Sequence, residues 1–125
     1  MIVLDTSALI RYFARDDKVK AEKAKLLLKT EKELVVPDVV LPEIEYVLIK
    51  TSKAKRPELI KAFKFLASLR NISLTKEARN AIITFEKTKL DMADCIIASY
   101  SMKGSLASFD NGLLSIAGIN PFWKL

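Results

Sequence analysis

Histidine and glutamine are missing from this 125-residue chain, cysteine occurs once, and glycine and proline number only three and four. Without histidine, Ser-His-Asp and Cys-His catalysis, a paired-histidine ribonuclease mechanism and imidazole metal ligation are all excluded. The single cysteine, Cys95, excludes an internal disulfide and fits a reducing compartment, so a cytoplasmic location is expected. It lies in an apolar run and reads as a small core residue rather than a reactive thiol. No run reaches the ~18 apolar residues that a membrane span needs. The start, MIVLDTSALI, meets an Asp at residue 5 with no basic lead, unlike a secretory signal. The lack of Gln beside abundant Lys and Glu leans towards a heat-adapted source.

Half of the residues are apolar and 29% are charged, the composition of a soluble globular protein, and the length suits one domain over residues 1–125. The formal net charge is +6, with Lys and Arg spread along the whole chain. An ordinary solvated lysine surface accounts for that charge as well as an anionic partner does, nucleic acid first among such partners.

Hydropathy patterning alternates strands with helices. Residues 2–4 read as a buried strand, and Asp5-Thr6-Ser7 suits the start of a helix over 8–13. A Lys-rich amphipathic helix spans 18–30, with Val19, Ala21, Ala24, Leu27 and Leu28 inward. A strand at 33–37 precedes a helix over 38–50, where Pro42 fits only in the first turn or at a kink. Pro57 starts a helix over 56–70. A strand at 71–74 leads to Thr75, the expected cap of a helix over 76–88. Four consecutive apolar residues, Cys95 to Ala98, predict that a helix over 91–103, ended by Gly104, is buried nearly all round. A fourth strand at 105–109, a turn at Asp110-Asn111-Gly112, a short helix over 113–118 and a closing strand at 119–123 complete the chain. No tight hairpin signal occurs, so the pattern predicts a parallel sheet with helices on both faces.

In such a sheet ligands bind at the C-terminal ends of the strands. Asp5 and Asp110 each follow a strand directly. Glu43 falls early in the helix after the second strand, and Asp94 early in the helix entering the fourth. Four acids from four distant segments would then meet at one edge. Each has an ordinary alternative. Asp5 could cap its helix, Asp91 reads better as an N-cap with Asp94 as its N3 partner, Glu43 could sit on the helix dipole as Glu45 is expected to, and Asp110 could be a turn residue. Two carboxylates ~4 Å apart repel by roughly 4 kcal/mol at an effective dielectric of ~20, so a cluster of four needs protons or a cation. Oxygen ligands without His or Cys suit Mg²⁺ or Mn²⁺, ions that activate water and stabilise a leaving oxygen. Lysines holding a phosphate backbone beside such a pocket make a coherent nuclease.

The four motifs IVLDTSALI, LPEIEYVL, DMADCIIAS and LASFDNGL, with INPFW at the end, resemble those of the PIN domain family, most closely VapC-type toxin ribonucleases of prokaryotic toxin–antitoxin pairs. The resemblance covers essentially the whole chain. It implies a three-layer α/β/α sandwich with a central parallel sheet, and Mg²⁺- or Mn²⁺-dependent hydrolysis of RNA. It assigns catalysis and metal binding to Asp5, Glu43, Asp94 and Asp110, an auxiliary metal role to Asp91, and support of these acids to Thr6 and Ser7. It also implies a homodimer, a small cognate antitoxin protein, no membrane association and a cytoplasmic location. Asn111 stands where Lys or Arg is common in the fourth motif. The alternative in a different class is a non-catalytic PIN scaffold that binds RNA or protein, whose mark would be a lost acid. None is lost. A phospho-acceptor receiver domain would need adjacent acids after the first strand, and a haloacid-type phosphatase two acids spaced by one residue; "DTS" offers neither. The apolar faces of 39–48 and 59–69 are wider than one sheet face hides; core packing is expected to account for most of them, with a hint of dimer or antitoxin contact in the remainder.

Overall fold

Three short β-branched or Leu-containing runs pair in parallel in the computed structural model, which describes residues 1–124. They are β1 (Ile2–Val3), β2 (Leu34–Val35) and β3 (Ile72–Ser73), in that order across the sheet. Ile2, Leu34 and Ile72 share one register position, and Val3, Val35 and Ser73 the next. Backbone bonds of 2.8 Å from Ile2 N–H to the Glu33 carbonyl and from Leu4 N–H to that of Val35 build the first ladder. Parallel neighbours require a crossover. Here each crossover holds two helices: α1 (Thr6–Ala14) with α2 (Lys18–Thr30), then α3 (Val40–Ser52) with α4 (Arg56–Ser68). The architecture is α/β, a three-stranded parallel sheet flanked by helices.

The chain forms two compact units, Met1–Thr75 and the stretch from Lys76 onward. In the first, α1 packs on α2 and α3, and α3 on α4. Leu34, Val36 and Ile72 are buried, but Ile2 and Val3 are exposed, contrary to the expectation of a buried first strand. β1 is the edge of this sheet, and only Leu4 beyond it turns into the core. Asp5 caps α1, so the helix begins at Thr6, two residues before its expected start. The third helix starts at Val40 and runs to Ser52; Pro42 lies in its first turn, where its missing N–H leaves no bond unmade. Pro57 sits at the start of α4 as expected. The apolar stripe of α4 goes into the core through Leu59, Ala62, Phe63 and Leu66, so it offers no wide outer face. That of α3 does, through exposed Val39, Tyr46 and Ile49. The Asn71 side chain donates to the Leu28 and Glu31 carbonyls, at 2.8 and 2.7 Å, tying the end of α2 to the start of β3. Thr75, expected as a helix cap, donates its hydroxyl to Asp38 at 2.7 Å.

The second unit holds α5 (Lys76–Lys87), α6 (Met92–Ser101) and α7 (Asn111–Leu114), with α5 packed on α6. Ala98, Leu106 and Leu113 form a small core, surrounded by Leu90, Leu114, Ile116 and Ile119. The strands expected over 105–109 and 119–123 reduce to one parallel bridge between Leu106 and Pro121. Leu106 N–H donates to the Asn120 carbonyl and the Leu106 carbonyl accepts from Phe122 N–H, both at 2.8 Å. Pro121 has no N–H, and residue 109 runs straight into the cap of α7, so neither stretch extends into a ladder. Gly118 closes this region at φ 92°, a left-handed conformation, and a Cβ there would press on the Met102 sulfur at 3.1 Å.

Helix α6 is not buried all round. Met92, Cys95, Ala98 and Ser99 face inward, whereas Ile97 and Tyr100 are exposed on the opposite stripe with Ala93. The spacing of 93, 97 and 100 is that of one helical face. Ser99 buries its hydroxyl with no hydrogen-bond partner among the described residues. An unsatisfied buried hydroxyl carries a desolvation cost of about 1–3 kcal/mol, so Ser99→Ala should stabilise the protein by up to about 1 kcal/mol, seen as a rise of a few degrees in thermal melts. A fall in melting temperature would show that the hydroxyl is satisfied in solution. Among the described residues no helix is long and apolar enough to cross a membrane.

Candidate functional site

In the first unit the chain leaves β1 at Leu4 and turns directly into α1. Asp5 takes the N-cap position with extended backbone, and its carboxylate accepts from the Ser7 amide at 3.2 Å and the Ser7 hydroxyl at 2.7 Å. Those two donors, the hydroxyl first, hold the Asp5 carboxyl below the ordinary carboxylate range. Thr6, the first helical residue, is nearly fully buried, and its hydroxyl donates to a carboxylate oxygen of Glu43. Glu43 stands in the first turn of α3, which packs on α1. Consecutive residues therefore each grip one acid: Thr6 holds Glu43 and Ser7 holds Asp5. Both acids remain exposed enough to meet a ligand. Glu45, expected as a solvated acid, is instead half-buried in the second turn of α3.

Asp5, Thr6, Ser7 and Glu43 line one end of a cavity of about 730 Å³, whose walls continue through Ile10 and Tyr46. A second cavity, about 500 Å³, shares Ser7 and Arg11 with the first and adds Lys20 and Lys23. The acidic and basic recesses thus adjoin on the two sides of α1. Arg11 is steered by Asp16, an ion pair of 3.2 Å between partly exposed groups. The sequence showed α2 as a Lys-rich amphipathic helix. Its lysines at 20 and 23, three residues apart on one face, were the available signal for the basic recess.

The second unit holds the other acids. Asp91 is the N-cap of α6 and accepts from the Asp94 amide at 2.8 Å, so the capping alternative is realised for this pair. Asp110 caps α7, accepting from Leu113 N–H at 3.1 Å. Asp94 is half-buried at the third helical position. Burial, and then the negative charges of Asp91 and Asp110, push its carboxyl above the ordinary range. Asp94 sits on the flank of the first turn of an otherwise largely apolar helix, and the groups around it make its charge costly. Asp5 and Asp94 are therefore opposite cases, the first stabilised as an anion by hydroxyl and amide donors, the second strained by neighbouring anions.

Among the described residues no three His, Cys, Asp or Glu side chains are arranged as a ready metal cage. The donors at hand are carboxylate and hydroxyl oxygens, Asp5, Thr6, Ser7 and Glu43 in the first unit and Asp91, Asp94 and Asp110 in the second, which suit hard divalent cations better than soft thiolate sites do. Hard divalent ions of the Mg²⁺ or Mn²⁺ kind keep several waters and can be held by one or two carboxylates together with substrate phosphates. No curated protein and no solved structure gives a significant match to the chain. A family model described as the PIN domain does match, over residues 2–119, which include every acid discussed above. With nearly its whole length aligned to that model, the chain belongs to the PIN domain family.

Proposed function

We propose that the protein is a Mg²⁺- or Mn²⁺-dependent endoribonuclease in which Asp5, Glu43, Asp94 and Asp110 together hold the ion and Asp91 assists. PIN domains are typically nucleases that act on nucleic acids and generally use divalent metal ions. The observation that carries the reading for this chain is Asp94, a half-buried carboxyl whose nearest charged influences are Asp91 and Asp110. Such a group is a standing deficit that a divalent cation relieves. The match of one family model across both units supports treating the chain as a single nuclease domain.

When bound, the ion supplies Lewis-acid stabilisation of charge on the phosphodiester and activates water. The chain's own residues do the rest. Thr6 and Ser7 fix the orientation of Glu43 and Asp5, which keeps those carboxylates from swinging onto the lysines nearby. Arg11, Lys20 and Lys23 receive the phosphate backbone, so a negatively charged substrate reaches an acidic site. A 5′-labelled single-stranded RNA incubated with purified protein should be cut in Mg²⁺ or Mn²⁺ and stay intact in EDTA. Cleavage that persists in EDTA, or binding with no cleavage in either ion, would replace this reading with that of a metal-independent or non-catalytic scaffold.

Removing the two lysines tests the substrate path. Lys20→Ala/Lys23→Ala should weaken RNA binding in EDTA and lower the slope of log affinity against log salt by about 1.4, at ~0.7 per single-strand phosphate contact. An unchanged slope would place the RNA elsewhere.

The finer reading is a VapC-type toxin held in check by a small antitoxin protein in the cytoplasm, acting as a homodimer. It rests on the motif resemblance and on the exposed apolar residues Val39, Tyr46 and Ile49 of α3, which suit a protein partner. Light scattering of the purified chain tests the dimer, and expression with and without the protein encoded by a neighbouring short reading frame tests the toxin role.

A further inference from the structure

We propose that Phe109 and Trp123 form a stacking platform for an unpaired base of the RNA, beside Asp110; this inference rests on the nuclease reading above. Phe109 is 84% exposed, Phe122 60% and Trp123 44%. The Phe109 and Trp123 rings lie parallel, 4.6 Å between centroids and 9° between planes, and Phe122 meets Trp123 edge-on at 5.5 Å. One face of Phe109 rests on Trp123, and its exposure leaves the rest of the ring in water. The buried core of the unit is built from other residues, among them Phe85, Met92, Cys95, Ala98, Leu106 and Leu113, and leaves the outer face of Phe109 unused.

The platform is pre-organised. The bridge of Leu106 to Asn120 and Phe122 clamps the two chain segments side by side, which brings residues 109 and 123 together. On the other side of Phe109 the backbone is pinned twice: the Asp110 amide donates to the Ser108 hydroxyl at 3.0 Å, and the Asp110 carboxylate caps α7. Phe109 and Asp110 are chain neighbours, with Cα atoms about 3.8 Å apart. A nucleotide stacked on Phe109 would therefore lie within one residue of Asp110 along the chain.

A nucleobase fits better than a second protein surface. Flat parallel rings present a π face, which every base can match. The stacked cluster comprises three rings, flanked along the chain by the polar residues Asp110, Asn111, Asn120 and Lys124, a small and polar-flanked patch for a dimer core. The chain's net charge of +6 favours the polyanion over a copy of itself.

The sequence contains one tryptophan, Trp123, so its fluorescence reports on this platform alone. Full-length protein in EDTA, where nothing is cut, is titrated with an oligoadenylate octamer and with an abasic ribose-phosphate octamer of equal charge. The adenylate should quench Trp123 saturably and bind about tenfold more tightly than the abasic strand, the range expected of one stacked base. Phe109→Ala should abolish that difference and leave abasic binding unchanged, while Phe109→Tyr restores it. Equal binding of the two octamers by the wild-type chain, or Phe109→Ala binding both as the wild type does, overturns the platform. So does a Phe109→Ala protein that changes only its sedimentation, which would assign the rings to a second copy. If RNA is still cut in Mn²⁺ in any of these cases, the nuclease reading survives and only the platform falls.

Discussion

The Asp94→Asn protein should leave RNA essentially uncut in Mg²⁺ or Mn²⁺ and yet, without metal, melt at a higher temperature than the wild type. The loss of activity follows from what a Lewis-acidic ion contributes, several kcal/mol of charge stabilisation. At ~1.36 kcal/mol per tenfold, that is a fall of about 10²–10³-fold or more in rate. The gain in stability follows from the site. Burial and the charges of Asp91 and Asp110 raise the Asp94 carboxyl above its ordinary value. The folded state therefore binds its proton more tightly than the unfolded chain does. Stability from this group is highest below the unfolded value, near 3.8, and falls as pH rises through the folded one. At neutral pH the full penalty applies, and an uncharged amide removes it.

Two controls keep these effects apart. The melting advantage of Asp94→Asn should shrink as pH is lowered below the ordinary carboxylate value, because the wild-type group is then protonated in both states. Added Mn²⁺ should raise the melting temperature of the wild type and narrow the gap, since the ion relieves the same repulsion. A clear drop in stability for Asp94→Asn would instead make Asp94 a helix-dipole partner at N3, worth up to about 2 kcal/mol for a partly buried first-turn acid. Undiminished cleavage would remove it from the metal site altogether. Asp5 behaves in the opposite sense. Its carboxyl is held low by Ser7, so its contribution is present above the unfolded value and is lost as pH falls through the folded one.

Much of this was legible in the residue pattern because the relevant signals are local. A polar residue before a periodic apolar run marks a cap, and Asp5 and Asp91 are caps. Pro57 marks a helix start, and the helix starts there. Among the described residues α1 to α6 were foreseen to within a few residues, as were the three paired strands, since each depends on its own periodicity. What failed depended on partners far along the chain. Whether Ile2 and Val3 are buried is decided by which side of β1 finds a neighbour, not by their own hydropathy. Whether 105–109 becomes a strand is decided by the partner it is offered, and Pro121 offers one bridge. The four apolar residues of α6 covered every face in projection, but a helix packed mainly along one side still exposes a stripe, here Ile97 and Tyr100. The Phe109–Trp123 stack was invisible for the same reason. Read as strand residues, they had no cause to meet.

The bond between Thr6 and Glu43 carries the other large expected effect. Thr6 is buried at the start of α1, and Glu43 is exposed in the first turn of α3, 37 residues further on. The hydroxyl fixes one oxygen of a flexible acid, and on the proposed reading the other would meet the ion. Thr6→Val keeps the shape and the β-branch but deletes the donor. Loss of a group that orients a metal ligand typically costs about 10–100-fold in metal affinity or activity. The Mn²⁺ concentration for half-maximal cleavage should rise by about that factor, with the rate at saturating Mn²⁺ largely recovered. Thr6→Ser, which retains the donor, should return the midpoint close to the wild-type value. A structural defect would lower the rate at every metal concentration and would not be rescued by serine in this way. Glu43→Gln gives the reference: it keeps an acceptor for Thr6 but removes the charge, so its rate should stay low even at high Mn²⁺. If Thr6→Val shifts the rate but not the metal midpoint, Thr6 serves the packing of α1 on α3, and Glu43 must find its orientation elsewhere.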